Sequence, residues 1–77
     1  MTKSLYTEKH ERLCSLLIEA RKKRGLTQHQ VAKALGRPQS FVAKYEGGER
    51  RLDVMEFLEV ADALRLDPSR FLKQLSR

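Results

Sequence analysis

Apolar residues recur at helical spacing along most of this 77-residue chain, and no stretch alternates in the manner of a β-strand. Over residues 8–24, Leu13, Leu16, Leu17 and Ala20 fall three and four apart and form one apolar stripe. Gly25 stops that helix, and Arg21 to Arg24 place positive charge in its last turn, where the helix dipole favours it. Thr27-Gln28-His29-Gln30 reads as a capping box: the Thr27 hydroxyl accepts from the Gln30 amide while the Gln30 side chain reaches back to the Thr27 N–H. It opens a short helix over 28–35, with Val31, Ala32 and Leu35 inward, and Gly36 ends it. Pro38 has no N–H to satisfy and suits the first position of the next helix, 38–46, which Gly47-Gly48 closes. Asp53 with Glu56 forms a second capping box that opens 53–65, and Asp67-Pro68 starts a last helix over 68–76.

The pattern predicts an all-α fold of five helices in one compact domain filling residues 1–77, with no internal repeat and no linker. The second and third helices are short and are joined by a tight turn containing Gly36. A chain of this length buries only about 60 % of its unfolded surface, so a partner subunit would add stability. Apolar content of 40 % is enough to build a core, and two Pro and four Gly are too few for a fibrous or disordered chain.

Charge is unevenly distributed along the chain. The net charge is +6, but residues 1–20 sum to zero and residues 52–77 to −1. Residues 21–51 carry +7, from Arg21, Lys22, Lys23, Arg24, Lys33, Arg37, Lys44, Arg50 and Arg51 against two acids. A positive field gathered on one third of a small domain is the footprint of a polyanionic partner. The longest apolar run, Leu16-Leu17-Ile18, is far too short for a membrane span, and residues 1–15 lack the apolar stretch of a signal peptide, so a cytoplasmic protein is expected.

Other chemistries find no support. Cys14 stands alone, which excludes an internal disulfide and suits a reducing compartment. With only His10 and His29 beside it, no structural zinc site can be assembled, and His10 and Cys14 read as unpaired surface groups. Asp53, Glu56, Glu59 and Asp62 lie at helical spacing, but capping accounts for the first two and a solvated edge for the others, so no metal is assigned. No nucleophile–base pair or carboxylate pair at working spacing is found: no catalytic residue, no enzyme activity and no cofactor is expected.

Two short helices joined by a tight turn can set the second helix into the major groove of double-stranded DNA while the first crosses the backbone. The helix over 38–46 offers Gln39, Ser40, Ala43 and Lys44 for base reading. Gln suits adenine, Lys suits guanine, and an Ala methyl packs on a thymine methyl. Val42 and Tyr45 fall on the opposite side and face the core. Phe41 fits two roles, packing between helices or against a thymine methyl or sugar, and His29 reads as an exposed first-turn residue.

Residues 21–48, from Arg21-Lys22-Lys23-Arg24-Gly25 through Ser40-Phe41-Val42 to Glu46-Gly47-Gly48, closely resemble the helix-turn-helix of the phage repressor and Cro (Xre-like) family. Val60-Ala61-Asp62-Ala63-Leu64 and Phe71-Leu72 are similar to that family's fourth and fifth helices, and the resemblance spans about residues 13–72. It implies a λ-repressor-like fold and a sequence-specific transcriptional regulator, a repressor or restriction–modification controller. Gln28 matches a residue that contacts phosphate and braces the reader helix, and Arg21 and Glu46 match a pair that forms a salt bridge. Flanking the reader helix within the basic segment, Arg37, Arg50 and Arg51 are expected on phosphate as well. Three positions depart from the pattern: Gly47 where Asn or Arg is common, Ala43 where a polar residue is common, and Arg65 in place of a frequent helix-ending Gly.

A single reader helix spans few base pairs, so a homodimer on a palindromic operator is expected. In the fourth helix Val54, Phe57, Ala61 and Leu64 read as the inward stripe, leaving Met55 and Leu58 at its edge. Met55, Leu58, Phe71, Leu72 and Leu75 are assigned to the dimer interface, with Ile18 joining the same patch. The alternative is an antitoxin or protein-interaction module whose DNA binding is secondary, using residues 1–7 or the last helix as its partner segment.

Overall fold

The computed structural model describes residues 7–76, so the first six residues of the candidate partner segment lie outside the described residues. Five helices follow one another: α1 (Glu8–Lys23), α2 (Gln28–Leu35), α3 (Gln39–Glu46), α4 (Val54–Ala63) and α5 (Pro68–Ser76). No strand occurs among the described residues.

Each helix starts on a local device. The Thr7 hydroxyl accepts from the His10 amide, and Glu8 and Glu11 in the first turn of α1 complement the dipole. Both halves of the Thr27/Gln30 and Asp53/Glu56 capping boxes are made. Asp67 accepts from the Ser69 and Arg70 amides, with Pro68 as the first residue of α5. Pro38 is the exception. Its backbone is extended (ψ 154°), so it precedes α3 as the cap rather than opening it, and the helix begins at Gln39.

The first four helices end on one shared motif. A residue with positive φ turns the chain, its N–H returns to the third carbonyl back, and the next N–H returns to the fifth. Gly25, Gly36 and Gly48 fill that position in α1 to α3, so of the glycine pair it is Gly48 that makes the turn. After α4 the same task falls to Arg65 at φ 58°, which ends the helix before 65 and strains an ordinary side chain into the left-handed region. The turn keeps the expected hydrogen bonds, Arg65 N–H to Asp62 and Leu66 N–H to Ala61.

α2 packs on α3 and α4, while α1 packs on α3 and α5. Leu17, Val31, Val42, Tyr45, Val60 and Leu64 are fully buried at the centre. Each of the aliphatic side chains among them contributes about 1.5–3 kcal/mol of apolar burial. Phe57 and Phe71 pack with ring centroids 5.6 Å apart, tying α4 to α5. Arg24 clamps the chain from outside the core, donating to the carbonyls of Leu64 (3.0 Å) and Arg65 (2.9 Å).

Four expectations need correction. Phe71 is absorbed by the monomer's own core against Phe57 and is not free for a partner. Val54 is 73 % exposed; as the first residue of α4 it precedes the turn that meets the core, and Val60 takes the inward place instead. Ile18 is half-buried on the other side of α1, beside Cys14, Glu46 and Gly47, and does not join the α4–α5 surface. His10 and Cys14 are buried rather than on the surface, because they lie beneath the C-terminal turn of α3. There the Cys14 thiol donates to the Tyr45 carbonyl at 3.2 Å, with His10 Nε2 3.9 Å from the sulfur. Burial pushes the Cys14 pKa up.

Candidate nucleic-acid interface

α3 divides into two faces. Phe41, Val42, Tyr45 and Glu46 are buried, whereas Gln39, Ser40, Ala43 and Lys44 are all exposed on the other side. The four residues expected to read bases therefore share one open helical face. That face follows from the 3.6-residue period: a short helix anchored by 41, 42 and 45 must present 39, 40, 43 and 44 outward.

A chain of hydrogen bonds runs from α1 to this face. Arg21 meets the Glu46 carboxylate through Nε (2.7 Å) and Nη2 (3.1 Å), and its Nη1 donates to the Leu26 carbonyl (2.9 Å). The pair is well shielded, with side-chain exposures of 13 % and 4 %. Hydrogen bonding to Glu46 raises the Arg21 pKa further above its ordinary value. Gln28 Nε2 also donates to Glu46 (2.9 Å), and Gln39 Nε2 in turn donates to Gln28 Oε1 (3.2 Å). Gln39, one of the residues expected to read bases, is thus oriented by a network rooted in helix α1. The neighbouring Tyr45 hydroxyl is raised above its ordinary pKa by burial, with the Glu46 charge adding to it.

A second cluster flanks α3. Glu56 receives Arg50 through two hydrogen bonds (3.0 and 2.9 Å) and Arg37 at 3.5 Å. Arg37 also lies 3.5 Å from Glu59. Both guanidinium groups lie over the Phe41 ring, at 4.5 and 4.8 Å from its centroid. Phe41 is 8 % exposed and packs edge-on against Tyr45, so of its two expected roles it takes the one between helices. An open groove runs along this edge, lined by Arg37, Ser40, Phe41, Lys44 and Arg50 among others. The paired arginines hold the Glu56 carboxyl at about 2, Arg50 being the larger cause and the Asp53 amide the next.

Among the residues expected on phosphate, Arg37 and Arg50 are brought together on this groove, Gln28 sits inside the Glu46 network, and Arg51 is exposed in the loop after α3. The capping role of Glu56 is legible in the sequence, but its hold on Arg50 and Arg37 is not. The signal available was weak: an acid six residues beyond Arg50. Among the described residues no group of three or more His, Cys, Asp or Glu is placed to hold a metal ion. No helix among them is long and apolar enough to cross a membrane.

This architecture, two short helices with one face of the second left open, is that of a helix-turn-helix DNA-binding regulator. The helix-turn-helix family model matches residues 17–71, and the chain belongs to the Xre family of helix-turn-helix transcriptional regulators. An XRE-family like protein from Pseudomonas syringae pv. tomato str. DC3000 is 47 % identical, with 88 % of this chain and 83 % of that chain covered and a TM-score of 0.85. The restriction-modification controller protein C.AhdI from Aeromonas hydrophila is 29 % identical over 80 % of this chain and 90 % of its own, with a TM-score of 0.75. The controller protein C.Esp1396I, at 16 % identity, shares the fold (TM-score 0.82, 91 % and 92 % covered). A tetramer of that controller has been solved in complex with its natural 35 base-pair operator. No match is found among the curated proteins.

Proposed function

We propose that this chain reads a specific double-stranded DNA site in the major groove with α3, and regulates transcription by occupying it, without catalysis, in the cytoplasm. One observation carries the reading: Gln39, Ser40, Ala43 and Lys44 form the single exposed face of a helix whose other face is buried. Gln39, Lys44 and Ser40 read base edges and Ala43 packs on a thymine methyl, while Gln28, Arg37, Arg50 and Arg51 hold phosphates. The controller proteins of similar fold, one of them in complex with its operator, support the reading.

The active form is a homodimer on a palindromic operator. Met55 (69 % exposed), Leu58 (43 %) and Leu72 (46 %) remain uncovered and, with half-buried Leu75, supply its interface. This end of the chain is nearly neutral, so two copies can approach without the repulsion of the +7 segment.

Selection of bound sequences from a random duplex pool tests the reading, repeated with Gln39→Ala. The variant is expected to lose about 1–3 kcal/mol on the selected site and to relax preference at one base position. An unchanged site and affinity would remove Gln39 from the reading face, and a wild-type protein that selects no sequence would sink the whole reading.

A further inference from the structure

Arg37 and Arg50 face the reader groove, yet neither is loose. Glu56 holds Arg50 with two short bonds and draws in Arg37, and both guanidinium groups rest on the Phe41 ring. Two cations converging on one carboxylate oxygen would repel each other without it. Glu56 is itself fixed, because it closes the capping box of α4 through the Asp53 amide. Its carboxylate is well covered, with 13 % of the side chain exposed, while Arg37 and Arg50 stay about a third exposed. Each guanidinium has five N–H donors in a planar fork, so both keep donors to spare after meeting Glu56.

An arginine held this way meets a phosphate only where the DNA backbone passes through one place. A free arginine on a flexible stem follows any phosphate within reach. We infer that Glu56 is a specificity-determining positioning residue: by tethering Arg50 and Arg37 against Phe41, it restricts their phosphate contacts to the register in which α3 is seated on its site. On unrelated DNA the tethered pair contributes little, and the negative charge of Glu56 adds to the discrimination. This inference rests on the DNA-binding reading above and adds the source of its selectivity.

The test uses Glu56→Gln in the full chain. Gln preserves the capping box, since Gln at that position serves as Glu does, but gives up the charge that holds Arg50 and that shares Arg37 with Glu59. Affinity is measured for the selected duplex and for a random duplex across a salt series. The ratio of the two is expected to fall by about fivefold, the worth of one good charged surface contact. The fall should come mainly from tighter binding to random DNA, whose salt dependence steepens by about one unit of slope. The change should vanish in an Arg37→Ala/Arg50→Ala background, where no tethered cation remains. A purely structural role would shift the melting temperature and leave ratio and slope alone. Arg50→Lys, which keeps the charge but cannot form the two-pronged contact, decides the matter should Glu56→Gln fail to fold, and is expected to lower the ratio likewise. A folded variant with an unchanged ratio overturns the inference while leaving the DNA-binding reading intact, provided the wild type still selects its site.

Discussion

Removing Glu46 by Glu46→Ala tests the energetics of the network beneath α3. The substitution deletes the acceptor of three hydrogen bonds, two from Arg21 and one from Gln28, at a side chain only 4 % exposed. Arg21 stays behind with 13 % exposure, keeping its bond to the Leu26 carbonyl but losing its counter-charge. Breaking a buried ion pair from one side costs about 3–5 kcal/mol, and the residual exposure of Arg21 places the loss near the lower end, at about 3 kcal/mol. A chain of this length has a total stability of roughly 4–11 kcal/mol, so the loss is a large share of it. The melting temperature should fall by roughly 12–24 °C on the scaling for small domains. Circular dichroism during thermal and urea unfolding measures this directly. Arg21→Ala and the double variant complete a cycle, in which the double variant should be less damaged than the two single losses added together. A loss below about 1 kcal/mol, the range of an exposed surface pair, would refute the view of this bridge as a shielded one.

Three further outcomes are expected. Arg65→Gly should raise stability by about 0.5–1 kcal/mol in chemical denaturation, because it relieves a left-handed backbone at φ 58° and leaves the carbonyl bond to Arg24 untouched; a destabilised variant would show that the Arg65 side chain matters more than its backbone strain. The Glu56 carboxyl, depressed from 4.5 to about 2 chiefly by Arg50, contributes stability that is present above pH 4.5 and lost as pH falls toward 2. The melting-temperature difference between wild type and Glu56→Gln should therefore narrow across that window, and a difference that stays constant would contradict the pairing. If the proposed dimer forms, Leu58→Asp should lower its sedimentation mass to that of a monomer with little change in helicity, since Leu58 is 43 % exposed; a wild type that remains monomeric even on a palindromic duplex would remove the dimer.

Much of the architecture was legible because its determinants are local. A capping box joins residues three apart, as Thr27 to Gln30 and Asp53 to Glu56, and a helix-ending turn needs only the few residues around Gly25, Gly36 or Gly48. The exposed face of α3 followed in the same way from the spacing of Val42 and Tyr45. What the chain by itself left open were facts about who meets whom. Whether Val54 turns inward, whether Phe71 finishes a core or is left for a partner, and whether His10 and Cys14 are covered all depend on where α3 and α5 lie against α1 and α4. Glu56 shows the division within one residue. Its bond to the Asp53 amide is written in the sequence, but its hold on Arg37, nineteen residues earlier, exists only once α2 has packed on α4 and brought the turn after α2 to the start of α4. Helical periodicity sets which side of a helix is apolar, a property of neighbours along the chain. Which polar side chains then bond across helices is decided by packing, since Gln28, Glu46 and Arg21 come within hydrogen-bonding distance only after the apolar faces beneath them have closed.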